Sequence, residues 1–168
     1  MLQTQKLGIA FSGGGLQGIS HIGVIRAFEE LGIRPDFISG TSSGSLIAAL
    51  YGMGYTADEM EDLAKKCWNK LAPIKKSTVL KMGLHFLFHN EIPCEGLVDG
   101  KIVEDIVQSF ASQKQMHLLS DAIIPTALCT VDTYTTDQCI FLSELIESDR
   151  DHVHYLYDTP IATAVRAS

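Results

Sequence analysis

The sequence predicts an α/β protein, on the strength of two strand-to-helix transitions near its N-terminus and the alternation of strand and helix patterns after them. In the first transition the apolar stretch Leu7 to Phe11 runs into Ser12-Gly13-Gly14-Gly15-Leu16-Gln17-Gly18, and a helix pattern follows from Gln17 to Leu31. In the second, the short strand Asp36 to Ser39 meets Gly40-Thr41-Ser42-Ser43-Gly44, and a helix pattern runs from Leu46 to Met53.

Each element has a local reason. The first helix pattern carries Ile22, Ile25, Phe28 and Leu31 on one face, with Arg26, Glu29 and Glu30 turned away from it. Gly32 to Pro35 ends that helix, because glycine fits the position after a helix and proline cannot continue one. Thr56 to Leu71 reads as a surface helix opened by a capping box, Thr56 with Glu59. Ser77 to Phe88 is twelve mostly apolar residues, too few to span a bilayer, and reads as core packing in preference to a lid over Ser42. Asp99 reads as the N-cap of a helix carrying Ile102, Val103, Ile106, Val107 and Phe110. Ile123 to Val131 and Gln138 to Leu142 read as strands, in a hairpin or in adjacent sheet positions. Pro160, with Thr159 as cap, opens a last helix.

Composition bounds the function without identifying it. The chain has 168 residues, 46% of them hydrophobic and 20% charged, which is enough apolar material for a single domain over 1–168 with a real core. A net charge of −7 and the lack of a basic arm argue against a nucleic-acid partner. Cys67, Cys94, Cys129 and Cys139 show no metal-ligand spacing, and Met1 to Lys6 is no signal peptide, so reduced thiols in a cytoplasmic protein are expected.

The chemistry lies in the two glycine-bearing turns. Gly40 and Gly44 frame Ser42 as G-x-S-x-G, where small flanking residues permit a sharp strand-to-helix turn that pushes the hydroxyl clear of the backbone. Consecutive glycines at 13, 14 and 15, with Gly18 before the helix, let backbone N–H groups face one concave space that favours negative charge. Gly13, Gly15 and Gly18 also satisfy the dinucleotide-binding pattern, but that chemistry needs an acidic residue closing the second strand. Asp36 stands at the start of that strand and not at its end, and Glu29 and Glu30 sit on the helix, so no cofactor is expected. His85 and His89 share an i, i+4 spacing without a third ligand, so no metal is expected either.

The runs Leu7 to Leu31 and Ser39 to Ala49, with the terminal Ala164 to Ser168, resemble the patatin-like phospholipase family of serine lipid acyl hydrolases. The resemblance implies a three-layer α/β/α fold with a mainly parallel central sheet. It implies a serine nucleophile, here Ser42, activated directly by an aspartate, with Gly13, Gly14 and Gly15 in an oxyanion loop that Gly18 closes against the helix. The implied substrate is a lipid or phospholipid ester, with transient contact to a membrane surface. Two departures stand out. Gln17 replaces the basic residue the family commonly has before the last glycine, and the family's Asp-Gly-Gly or Asp-Gly-Ala motif would come after Ser168. The chain is therefore expected to be a C-terminally incomplete patatin-like domain whose catalytic aspartate lies outside it, with homo-oligomerisation through an exposed sheet edge.

Two alternatives stay open. A Ser-His-Asp esterase could draw on Ser42, Asp132 or Asp137, and His152 or His154, which follow the α/β-hydrolase order of roles. A catalytically inactive lipid-binding or regulatory module would keep the pocket without the base. Asp132 and Asp137 read more plainly as turn residues, and His21 as a packed or capping histidine.

Overall fold

A computed structural model describes residues 5–71, 100–148 and 150–168. The expectations for Ser77 to Phe88, for His85 and His89, for Cys94 and for Asp99 lie outside these described residues. In chain order the elements are β1 (Gly8–Phe11), a 3₁₀ turn (Gly15–Ile19), α1 (Ser20–Glu30), β2 (Phe37–Thr41), α2 (Ser43–Gly52), α3 (Ala57–Leu71) and α4 (Gly100–Gln113). A second 3₁₀ turn (Leu119–Asp121), β3 (Thr126–Val131), β4 (Gln138–Leu142), β5 (Val153–Leu156) and α5 (Ile161–Ala167) complete the described chain.

The strands form one five-stranded sheet in the order β1-β2-β3-β4-β5. Pairs β1–β2, β2–β3 and β4–β5 are parallel, and β3–β4 is antiparallel. The sheet is therefore mixed and mainly parallel, as expected. Parallel neighbours need crossover connections, and α1 makes the crossover from β1 to β2. The hairpin expected of the strands at 123–131 and 138–142 is present, with Val131 opposite Gln138 and Ala127 opposite Leu142. The strand β5 carries His152 at its threshold and His154 within it.

Alternation along β2 and β3 settles which face is buried. Ile38 and Gly40 on β2 lie in register with Thr126 and Leu128 on β3, all four are buried, and α2 packs over them. The helix α2 reads as an almost unbroken run of buried residues, Ile47 through Gly52, because it sits between the sheet on one side and α1 and α5 on the others. Ile22 and Ile25 of α1, Val107 and Phe110 of α4, and Ile161 and Val165 of α5 belong to the same core.

Three expectations need correction. The first helix begins at Ser20, because Gly15–Ile19 winds as a tighter 3₁₀ turn closed by the Gln17 N–H on the Gly14 carbonyl. Leu31, assigned to the apolar face, is 71% exposed, since α1 ends at Glu30 and Leu31 begins the turn that Gly32 completes at φ +66°. At the last helix Pro160 itself is the N-cap, with extended backbone and a bridge to Leu118, while Thr159 gives its carbonyl to the Leu119 N–H.

The capping box on α3 is formed reciprocally: the Thr56 N–H donates to Glu59 Oε2 at 2.8 Å and the Glu59 N–H to Thr56 Oγ1 at 3.2 Å. That backbone donor, with Lys114 behind it, holds the Glu59 carboxyl below the usual carboxylate range. A folded-state pKa below the unfolded value adds stability that is present above the unfolded pKa and lost as pH falls through the folded one. Thr56→Ala is expected to cost about 1 kcal/mol in a urea melt at neutral pH. Glu59→Gln is expected to flatten the loss of stability on acidification, and an unchanged acid profile would contradict that role.

Candidate functional site

The turn between β2 and α2 is built by close approaches that only glycine permits. A Cβ on Gly40 would lie 2.7 Å from the Ser45 Cα, and one on Gly44 would collide with the Phe11 carbonyl and lie 2.7 Å from that of Ser12. The first turn of α2 thus sits directly on the C-terminal end of β1. Ser42, between the two glycines, takes φ 55° and ψ −125°, a strained conformation that costs about 1–3 kcal/mol and persists only where its surroundings enforce it. Its side chain is exposed. Ser43 starts α2, so the positive end of that helix lies immediately beyond Ser42.

The glycine loop comes to the same spot. A Cβ on Gly13 would stand 3.0 Å from the Ser42 Cβ and 3.7 Å from its Oγ. Gly18 is pressed against Ser43, where an added Cβ would meet the Ser43 Oγ at 2.5 Å. Gly14 and Gly15 have φ of +157° and +57°, so the loop enters the 3₁₀ turn through backbone that favours glycine. His21 closes the loop from behind: its Nε2 lies 3.0 Å from the Ser12 carbonyl and its ring packs on Phe11 at a centroid distance of 5.3 Å. The expected packing role of His21 is what the structure has.

Ser42 stands at the wall of a cavity of about 620 Å³. Leu16, Ile19 and Ile22 line it from the first turn and α1, Leu46 and Leu50 from α2, and Leu63 from α3. Ser42, Ser43 and Ser168 supply hydroxyls, and Arg166 the charged group, among the described lining residues. An apolar cleft of this size with few polar groups at one end is the usual form of a site for a small apolar ligand. Leu16 and Ile19 remain 49% and 38% exposed, so the apolar lining continues out to the surface.

The candidate His-Asp partners lie elsewhere. Asp137 accepts from His152 Nδ1 at 2.8 Å and His154 Nε2 at 2.9 Å, and these two contacts hold its carboxyl below the usual range. Asp137 immediately precedes β4, His152 immediately precedes β5 and His154 lies on it, with β3 between these strands and β2, and none of the three lines the cavity that holds Ser42. Asp132 is a turn residue, accepting the Tyr134 and Thr135 N–H groups on its Oδ1. Among the described residues no cluster of histidine, cysteine and carboxylate groups suits a metal ion, and no helix is long and apolar enough to cross a membrane.

Sequence reasoning did not assign a role to Ser168. Its hydroxyl receives the Ser42 N–H at 3.0 Å and lies 2.7 Å from Ser45 Oγ. A serine at the end of a helix pattern carries no signal that separates it from a surface residue; only the fold brings it to position 42.

The family model described as Patatin-like phospholipase matches residues 9–168. Curated relatives include Lysophospholipase NTE1 of Yarrowia lipolytica, 47% identical over 66 residues, covering 39% of this chain and 5% of the relative. Lysophospholipase NTE1 of Saccharomyces cerevisiae is 42% identical over 74 residues, covering 44% of this chain and 4% of the relative. The chain thus spans only about one-twentieth of the length of these proteins. Among solved structures, the type III effector protein ExoU superposes with a TM-score of 0.58 at 15% identity, over 96% of this chain and 38% of that one, a likeness of fold.

The close approach at Gly44 gives a direct test of the site's construction. Gly44→Ala is expected to lower stability by at least about 2 kcal/mol in a denaturant melt, through overpacking against the β1 carbonyls. Gly23→Ala, on the exposed side of α1 where an added Cβ meets nothing within 4 Å, is expected to raise stability by roughly 0.5–1 kcal/mol. Equal effects of the two would contradict the packing described.

Proposed function

The chain belongs to the patatin-like phospholipase family, and we propose that it carries the nucleophile and oxyanion loop of a serine acyl hydrolase acting on lipid or phospholipid esters. The observation that carries this reading is a single juxtaposition. An exposed serine hydroxyl on a strained turn stands against the glycine loop, at the wall of an apolar cavity.

In this reading the Ser42 oxygen attacks the ester carbonyl while the acyl chain lies along Leu16, Leu46 and Leu50. The negative charge that develops on the carbonyl oxygen is received by N–H groups of Gly13, Gly14 and Gly15, aided by the positive end of α2. Such a donor is typically worth about 3 kcal/mol of transition-state stabilisation. The alcohol leaves, and water then releases the acyl group from Ser42.

The base that takes the Ser42 proton is, in this proposal, the family's aspartate following residue 168. Ser168 lies within hydrogen-bonding reach of Ser42, so the chain beyond it would set out from beside the nucleophile. A binding module that holds lipid without hydrolysing it has one observation in its favour: no carboxylate or imidazole is among the described residues that line the cavity with Ser42. The Ser-His-Asp reading has less support, since both histidines engage Asp137 away from that cavity.

We further propose work in the cytoplasm, in keeping with the free thiols Cys129 and Cys139, and transient contact with a lipid surface through exposed Leu16 and Ile19 beside the cavity. Association of copies would use the outer strands β1 and β5, which end the sheet among the described residues.

Hydrolysis of p-nitrophenyl acyl esters tests the proposal. This chain, a C-terminally extended form containing the Asp-Gly-Gly or Asp-Gly-Ala motif, and the extended Ser42→Ala form are compared. Turnover is expected in the extended form and is expected to fall by at least about a thousandfold on substitution of Ser42. Undiminished turnover in the Ser42→Ala form would reject the nucleophile, and equal turnover in the short chain would put the base within residues 1–168.

A further inference from the structure

We infer that Ser168 is a positioning residue for Ser42, fixing the backbone of the strained turn through a hydroxyl whose hydrogen-bonding capacity is fully used. The inference deepens the proposed function, because it rests on Ser42 as nucleophile.

The proton count assigns every bond. The Cys129 carbonyl can only accept, so the Ser168 O–H donates to it. The Ser168 oxygen then has only its lone pairs left for its other neighbours. It accepts the Ser42 N–H at 3.0 Å and, from 2.7 Å, the hydroxyl proton of fully buried Ser45. One hydroxyl thus joins the nucleophile's own amide, the first turn of α2 and the C-terminal end of β3.

Ser42 needs such a partner. At φ 55° and ψ −125° its peptide groups are held away from the orientations that ordinary strand or helix backbone would give them. The strand ladder closes at Thr41, opposite Cys129, so the next amide, that of Ser42, lies beyond it. Ser168 supplies that amide's acceptor from the neighbouring strand's side. With the acceptor removed, the turn could relax toward an unstrained conformation, and the direction of the Ser42 Cα–Cβ bond would change with it. Gly13, packed against the Ser42 Cβ, would then no longer face the hydroxyl as it does.

The end of α5 has two further attachments that isolate this effect. Thr130 Oγ1 donates to the Ala167 carbonyl, and Arg166 Nη1 bonds Glu104 Oε2 of α4 at 2.7 Å. Loss of the Ser168 hydroxyl therefore leaves the helix end tethered and acts on the turn.

Two substitutions of nearly equal size separate hydroxyl from bulk: Ser168→Thr keeps the oxygen and Ser168→Val drops it. In the C-terminally extended protein, Ser168→Val is expected to lower kcat by about tenfold or more with KM within about twofold, and Ser168→Thr to stay within about threefold of the parent. In the 168-residue chain, exchange of the Ser42 amide followed by NMR is expected to accelerate by about tenfold or more in Ser168→Val and to stay near the parent rate in Ser168→Thr. Unchanged kcat and unchanged amide exchange in Ser168→Val would overturn the inference. So would equal losses in both variants, which would mark a packing role. Inactive Ser42→Ala beside fully active Ser168→Val removes this inference alone; active Ser42→Ala removes the nucleophile reading and this inference with it.

Discussion

The seating of the first turn of α2 on the carbonyls at the end of β1 is the constraint from which the site follows. Gly44 lies against the Phe11 carbonyl with no room for a side chain, and Gly40 lies equally close beneath the same turn. A helix that must begin so near the sheet cannot be reached from β2 by relaxed backbone, and Ser42 takes up the difference as a positive φ. Because β1 also leads into the glycine loop, the contact that strains the turn brings Gly13 against Ser42. The hydroxyl and the N–H-bearing loop are neighbours for one reason.

The apolar chamber depends on the same seating. With α2 held down on β2 and β3, Leu46 and Leu50 line the cavity of about 620 Å³ together with residues of α1, α3, α4 and α5. The helix is buried on nearly all sides, which explains why its residues are apolar without a stripe. Ser42 and Ser43, at the start of the helix, bring hydroxyls to the part of the cavity wall that Gly15 and Gly18 also line. Under the proposed function, such a chamber would distinguish the two ends of an ester: a hydrocarbon tail would gain by leaving water, while the carbonyl would lie near the glycine loop and a helix N-terminus.

Much of this arrangement was legible in the chain. Glycine at 40, 44 and 18 is informative because an added Cβ at each would come within 2.5 Å of a neighbouring atom, so the pattern encodes a distance as well as a residue type. The capping box at Thr56 and Glu59 and the hairpin of β3 and β4 follow from local chemistry in the same way. What local pattern did not disclose was set by tertiary contacts. Leu31 has helical spacing but falls one residue past the helix end, and Pro160 caps α5 because Leu118 pairs with it across 42 positions of sequence. Ser168 lies 126 residues from Ser42, and the bond between them exists only after the sheet and α5 have formed. The order Ser42, Asp137, His152 suggested a triad, yet the strand β3 intervenes, since sequence order says nothing of strand order.

Reaction with a fluorophosphonate probe, followed by peptide mapping, tests most directly that Ser42 is an activated hydroxyl facing a donor-lined site. A phosphonyl adduct on the peptide containing Ser42, formed in the C-terminally extended protein, lost on prior incubation with a long-chain acyl ester and missing from the Ser42→Ala form, is the result predicted. An adduct mapped to Ser43, Ser45 or Ser168, or equal labelling of the Ser42→Ala form, would contradict it.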